Sequence, residues 1–201
     1  MNVYIETNFI LEHSYLQEQH EWCERILMLA EADRVRLVTP SFSVGEAYSA
    51  LVGRNKRRRR LYDDLIQELK ELSRSQPYAS IREEFLEITR LLSTSGEEDK
   101  ARLDGALLRL VQVSTLIGID SNVIVSAMQL QRTRGLTPPD SLVYAAILSD
   151  LGSYQDNQPS CFVTKNAKDF SNPDIETDLS QLGCRLFTGF GEAFGFLSNL
   201  E

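Results

Sequence analysis

Four acidic side chains stand at places from which their carboxylates could jointly hold a metal ion. Each lies behind an apolar, strand-like run or in the first turns of a segment with helical periodicity. Carboxylates that gather in one place repel one another unless a hard cation neutralises them. Because oxygen ligands without His or Cys are typical of Mg²⁺ and Mn²⁺ sites, the pattern predicts such a site. The four residues are Glu6, Glu46, Asp140 and Asp169.

Each of these acids also has a purely structural interpretation. Glu6 could be solvated beside the N-cap of a helix, and Glu46 could be a solvated surface residue. Asp140 could complete a capping box with Thr137, and Asp169 could be a turn or cap residue. Taken singly, each residue leaves both interpretations open. Only the ordered set of four favours a shared site.

The elements that must position these acids are strands alternating with helices. Strands are predicted at Asn2–Ile5, Val35–Val38, Cys161–Thr164 and Cys184–Phe187. The alternation predicts a three-layer α/β/α fold with a mostly parallel, four- to five-stranded sheet, in a single domain that spans residues 1–201. In such a sheet the carboxyl ends of the strands face one crevice, where ligands bind.

The helical pattern also predicts an insertion of roughly residues 61–118 on this body. The predicted helices and turns are a helix over Phe9–Ala32, a helix from Ser41 or Ser43 to Arg74, a helical hairpin over Tyr78–Leu116 that breaks near Ser93–Gly96, an extended turn at Ile117–Ser121, and helices over Asn122–Arg134 and Asp140–Leu151.

One stretch of residues, 54–60, differs in charge from the rest of the chain. The net charge is −8, which argues against a general nucleic-acid coat, but residues 54–60 (RNKRRRR) carry six positive charges. We call these residues the basic segment. The apolar stripe of its helix is interrupted at Asn55, Arg58 and Arg59, so we predict that the segment projects or faces a groove. The candidate RNA-binding residues are Arg54, Lys56, Arg57, Arg58 and Arg60.

Alternatives to RNA binding are a solvated helix end or a contact for an acidic partner. Cys23, Cys161 and Cys184 are odd in number and have no metal-ligand spacing, which predicts reduced core residues. No apolar run approaches the roughly 18 residues of a membrane helix, and no signal-peptide pattern opens the chain. We therefore expect a cytoplasmic protein with no membrane partner.

In the order and local context of its acids, the chain resembles PIN-domain proteins of the kind found in bacterial toxin ribonucleases. That family opens with a strand that runs into Asp-Thr-Asn, matched here by Glu6-Thr7-Asn8. Its second acid matches Glu46 in SVGEA, and its third begins the helix DSLVYAA at Asp140. Its fourth stands in a Thr-x-Asn-x-x-Asp-Phe pattern, matched by residues 164–170. The resemblance covers roughly residues 1–52 and 119–190.

The resemblance implies a metal-dependent endoribonuclease that hydrolyses RNA phosphodiester bonds with Mg²⁺ or Mn²⁺ as cofactor. It further implies the toxin of a toxin–antitoxin pair, with an antitoxin protein as partner, and a possible homodimer. Asp140 would be the leading metal ligand, Glu6 and Asp169 ligands directly or through water, and Glu46 the residue that holds a second ion or its water. The residues implied to orient these acids are Thr7, Asn8, Thr164 and Asn166.

The chain departs from the family at one acid. Position 6 is Glu where the family has Asp, which extends the carboxylate by about 1.5 Å. Catalytic geometry is sensitive to displacements of about 1 Å. The alternative function is therefore a catalytically impaired PIN scaffold that acts as an RNA- or protein-binding module.

Overall fold

The fold is built on one parallel sheet. The computed structural model describes residues 1–78, 81–153 and 159–199. All neighbouring strands run parallel in the order β3-β2-β1-β4-β5, which confirms the predicted α/β class and the four- to five-stranded sheet. The strands are β1 (Asn2–Ile5), β2 (Arg36–Pro40), β3 (Ser114–Ile117), β4 (Ser160–Val163) and β5 (Cys184–Phe187).

Helices cover both faces of this sheet, and each face has its own hydrophobic core. Alternate strand residues point to opposite faces, so Val3 and Ile5 enter one core and Tyr4 enters the other. The first core is shared with α1–α4 and α9, and the second with α5, α6 and α8. The helices are α1 (Thr7–Ser14), α2 (His20–Glu31), α3 (Ser41–Leu72), α4 (Ile81–Val113), α5 (Ser121–Arg134), α6 (Pro138–Ser153), α7 (Ala167–Phe170), α8 (Pro173–Gln181) and α9 (Phe190–Ser198), with a short 3-10 turn at Gln76–Tyr78.

The order in which strands are added to the sheet reverses beside β1. The chain passes from β1 outward through β2 to β3, and then returns to the other side of β1 to form β4 and β5. The register pairs Ile5 with Val163, so Glu6 and Thr164 leave the sheet at the same level. The carboxyl ends of β1 and β4 therefore flank the topological switch point, where open parallel sheets bind their ligands.

The predicted helix over Phe9–Ala32 is wrong because the chain turns between α1 and α2. Leu16 adopts a left-handed conformation with φ 51°. The buried carboxylate of Glu12 accepts a hydrogen bond from the backbone N–H of Gln19 at 2.5 Å, which holds the turn. A left-handed leucine and a buried glutamate are properties of the folded turn that helical periodicity does not reveal.

The predicted break near Ser93–Gly96 is also wrong, since α4 runs through it without interruption. The Ser93 and Thr94 hydroxyls donate to the carbonyl of Arg90, at 2.8 and 3.1 Å, inside the helix. A Cβ at Gly96 would lie 3.1 Å from Asn55 Oδ1, so glycine permits the close approach of α3. These residues mark a helix crossing rather than a turn.

The strand β3 differs from the sequence-based prediction. That prediction continues the helical hairpin to Leu116 and places an extended turn at Ile117–Ser121. Residues 114–117 instead pair with Leu37–Pro40 at the edge of the sheet. Leu116 is 44% exposed, as suits an edge strand that packs on one face only.

Among the described residues, none of the helices combines the length and the apolar character that a membrane span requires. The three cysteines are free and buried, as predicted.

The basic segment does not project as a whole. Asn55 faces Gly96, and Arg58 Nη1 lies 2.7 Å from Asp99 Oδ2 on α4. Arg54 Nη1 lies 3.6 Å from the same oxygen, and the Arg54 guanidinium stacks over the Tyr15 ring at 4.0 Å. Of the three stripe positions, Asn55 and Arg58 contact α4 across the α3–α4 hairpin, whereas Arg59 is exposed. All three line a pocket between the two helices, in agreement with the prediction that the segment faces a groove.

Asp99 is the centre of this pairing. Its side chain is 5% exposed and also contacts Arg102 Nη2 at 2.5 Å. Burial by itself would raise the pKa of Asp99, but the hydrogen bonds from Arg102 and Arg58 lower it. One buried carboxylate therefore joins cations of α3 and α4.

We expect Asp99→Ala to lower the free energy of unfolding by about 2 kcal/mol, because half-buried guanidiniums lose the charge that compensates them. Urea unfolding followed by circular dichroism measures the change. Glu98→Ala is the matched control, since Glu98 lies on the same helix but is 60% exposed and approaches Arg102 of that helix at 3.9 Å. A change no larger than that of the control would show that Asp99 does not hold the hairpin together.

Candidate active site at the switch point

Glu6 is the N-cap of α1 and is 5% exposed, so the solvated interpretation is wrong. Its Oε2 accepts a hydrogen bond from the Asn8 N–H at 2.8 Å, and its Oε1 accepts one from the Thr164 hydroxyl at 2.9 Å. Burial raises the pKa of Glu6 to about 7; hydrogen bonds from Asn8 and Thr164 oppose the rise, and the charge of Glu46 adds to it. Glu6 is thus a buried carboxyl that titrates near neutrality.

Glu46 lies in the second turn of α3, half-buried rather than solvated. Its Oε2 accepts a hydrogen bond from the Thr7 hydroxyl at 2.6 Å, which joins α3 to the start of α1. Burial raises the pKa of Glu46, the bond from Thr7 opposes the rise, and the charge of Asp140 adds to it. Glu46 therefore interacts electrostatically with two other carboxylates, those of Glu6 at the start of α1 and Asp140 on α6.

Asp140 combines the capping and the site interpretations. The Thr137 hydroxyl donates a hydrogen bond to its Oδ2, and its own N–H donates to Thr137 Oγ1 at 3.4 Å, which is the cap of α6. Its Oδ1 accepts a bond from Asn166 Nδ2 at 3.2 Å, across to the end of β4. The capping contact orients the acid, and the Asn166 contact ties it to the switch point.

A chain of hydrogen bonds connects Asp140 with Glu6. The backbone N–H of Asn166 donates to Thr164 Oγ1 at 2.9 Å, while the Thr164 hydroxyl donates to Glu6. Thr164 is fully buried, so its hydroxyl has a fixed direction between the two elements. The Thr-x-Asn part of the predicted motif therefore links two acids that lie on different parts of the chain.

Asp169 is connected to this network through its backbone. It lies in α7, where its N–H donates to the carbonyl of Asn166 at 3.3 Å. Its side chain is half-buried and, within the described residues, forms neither a hydrogen bond nor an ion pair. The structure thus brings Glu6, Glu46 and Asp140 together electrostatically and leaves Asp169 one helical turn from Asn166.

Lys165, which follows β4 in the chain, pairs with acids other than Glu6, Glu46 and Asp140. Lys165 Nζ donates to Glu12 Oε2 at 2.9 Å and lies 3.6 Å from Glu18. Nothing in the sequence indicated that Glu12 is buried and neutralises this lysine. Lys165 is therefore not available to the candidate site. No Lys or Arg in the described residues forms an ion pair with Glu6, Glu46 or Asp140, so the negative charges of these three acids are not neutralised by a described side chain.

The chemistry of these groups fits a hard cation, since every side chain that faces the network offers oxygen and none is His or Cys. Their spacing is looser than a closed metal site: among residues 1–78, 81–153 and 159–199, no three His, Cys, Asp or Glu side chains lie close enough to share an ion. Each carboxylate is instead turned toward a hydroxyl or amide donor. A shared ion would require rotations of these side chains.

Comparisons with known proteins add no relative. No protein-family model matches this chain, and no curated protein matches it either. The resemblance to PIN-domain proteins therefore rests on the residues named above and enters below as a proposal.

Proposed function

We propose that this chain is an endoribonuclease of the PIN type that depends on Mg²⁺ or Mn²⁺. The observation that supports it is the set of three acids, Glu6, Glu46 and Asp140, which are coupled electrostatically at the switch point and form no ion pair with a Lys or Arg of the described residues. Burial and mutual repulsion raise the pKa of two of them, which is a cost that a divalent cation removes. An acid cluster of this kind is expected where a metal ion binds.

In this proposal Asp140 and Glu46 hold the cation, because both are partly open to solvent while Glu6 is closed in. Glu6 contributes its charge beside them and is linked to Asp140 through Thr164 and Asn166. A divalent cation, when bound, supplies positive charge next to a phosphodiester and its attacking water. Thr7 keeps Glu46 aimed at the crevice through its 2.6 Å hydrogen bond.

The experiment is cleavage of labelled single-stranded and structured RNA by the purified chain in Mn²⁺, in Mg²⁺ and in excess chelator. We expect fragments with either metal and none with the chelator. Uncut RNA in both metals, at protein concentrations that bind the RNA, would contradict a nuclease function.

A second function is favoured by the geometry of Glu6. Both of its oxygens accept hydrogen bonds, and without a cation its pKa of about 7 leaves it partly neutral at physiological pH. A cation that used Glu6 would have to displace a hydrogen bond and a proton, which lowers its affinity and suits a scaffold that binds RNA or protein without turnover. RNA binding without cleavage that Glu6→Asp does not rescue would favour the scaffold, whereas ordinary turnover by the wild type would exclude it.

A further inference from the structure

The cations of the basic segment divide into two kinds. Arg54 and Arg58 are half-buried and paired with Asp99, as described above. Lys56, Arg57, Arg59 and Arg60 are exposed, and none of them forms an ion pair with the described acids. Only the second kind is available to a ligand, and its members differ in the direction in which they leave the helix.

The helical geometry of α3 places Arg57 and Arg60 on the same face as Glu46. At about 100° per residue, Arg57 lies about 20° from Glu46 in projection and Arg60 about 40° to the other side. Arg59 lies about 140° away, so it points to the opposite side of the helix. The two arginines and the acid therefore form one row along the same face of α3.

Between Glu46 and Arg57 this face of the helix carries a glycine. Gly53 lies on the same face, and a Cβ built on it would be 3.7 Å from Arg57 Nη1. The Arg57 guanidinium is thus folded back over Gly53, toward the end of the helix that carries Glu46. By the rise of about 1.5 Å per residue, Gly53 stands about 10 Å from Glu46 along the axis, and Arg60 about 21 Å.

We propose that Arg57 and Arg60 hold successive phosphates of a single RNA strand whose scissile bond lies at Glu46, and that Arg54 and Arg58 do not touch it. This inference rests on the proposed ribonuclease function. A single row of arginines can contact the phosphates of a single strand, and guanidiniums bind phosphate oxygens in bidentate geometry. Arg54 and Arg58 instead fix the path of α3 through Asp99.

Acidic residues beyond Arg60 on α3 limit the length of the RNA strand that this face can contact. Asp64 lies directly above Glu46 in projection, and Asp63 and Asp64 are both exposed, so a negative strand is repelled beyond Arg60. A stacked strand advances about 3.4 Å per nucleotide. The path of about 21 Å from Glu46 to Arg60 therefore accommodates about six stacked nucleotides on one side of the scissile bond.

The test measures the affinity of fluorescein-labelled RNA oligonucleotides, from about two to about ten nucleotides long, in Ca²⁺ in place of Mg²⁺, with gels to confirm that the RNA stays intact. Affinity should stop rising at about six nucleotides. Arg57→Ala and Arg60→Ala should each reduce the slope of log K against log salt by about 0.7, which is the loss of one phosphate contact on a single strand. Arg59→Ala is the matched control and should leave the slope unchanged.

Equal effects of Arg57→Ala and Arg59→Ala, or tighter binding of duplex than of single-stranded RNA, would overturn the strand path. So would binding of an acidic polypeptide in preference to RNA. Cleavage in Mn²⁺ separates the two proposals: a wild type that cuts RNA while Arg57→Ala behaves like the control retains the nuclease and loses the path. A wild type that neither cuts nor binds RNA loses both.

Discussion

Asp140→Asn should lower the rate of RNA cleavage in Mn²⁺ by about 100-fold or more while leaving the fold intact. Asparagine keeps the shape of the side chain: its Oδ1 can accept the hydrogen bond from Asn166, and its Nδ2 can donate to Thr137 Oγ1 in place of the bond that Asp140 accepts there. It removes the negative charge, which is what a divalent cation at this position requires. Single-turnover cleavage of an RNA oligonucleotide gives the rate, and thermal unfolding shows that the fold is retained.

The matched control for this variant is Asp174→Asn. Asp174 is also an acid in the first turn of a helix, but its side chain is 64% exposed and contacts Arg134 at 3.8 Å, away from the switch point. Its substitution should leave cleavage unchanged. Equal rates for Asp140→Asn and the wild type would mean that any nuclease activity of the preparation does not come from this site.

What the sequence predicted well is the part of the fold that local pattern dictates. The apolar runs of β1 and β4 are buried in the sheet, β5 pairs with β4 beside them, and strand ends bring Glu6 and the Thr164–Asn166 pair to one edge, as the alternation of elements predicts. The order of the acids along the chain therefore translated into three that are coupled in space. Local pattern sufficed because parallel strands have only one edge at which they all end.

What the sequence did not reveal depends on contacts between distant residues. Ser93–Gly96 has the composition of a turn, but packing against Asn55 keeps it helical, as tertiary context overrides propensity. Asp99 follows two other acids and looks like part of a solvated face, yet it is buried among arginines of α3. The division of the basic segment into paired and free arginines follows from that one contact.

Glu6 should make the stability of the metal-free protein fall as the pH rises through neutrality. Its pKa in the folded state is about 7, against an ordinary value of 4.5, so the folded protein binds more protons than the unfolded chain between these values. The stability associated with the protonated group is present in full below pH 4.5 and is lost as the pH rises to about 7. The loss between pH 5 and pH 8 is about 3 kcal/mol, from about 1.4 kcal/mol for each unit of pKa difference.

The comparison that isolates this effect is the wild type against Glu6→Gln, by urea unfolding across pH 5 to 8 in chelator. Glutamine can accept from the Asn8 N–H and donate to Thr164 Oγ1, as the protonated carboxyl of Glu6 can, so the variant imitates the neutral state and the titration disappears. The variant should therefore be the more stable protein at pH 8, and Mg²⁺ should stabilise the wild type more at pH 8 than at pH 5. Parallel stability curves for the two proteins would show that Glu6 is ionised throughout. The residue would then carry its charge at all working pH values, which favours a metal ligand over the neutral carboxyl of a binding scaffold.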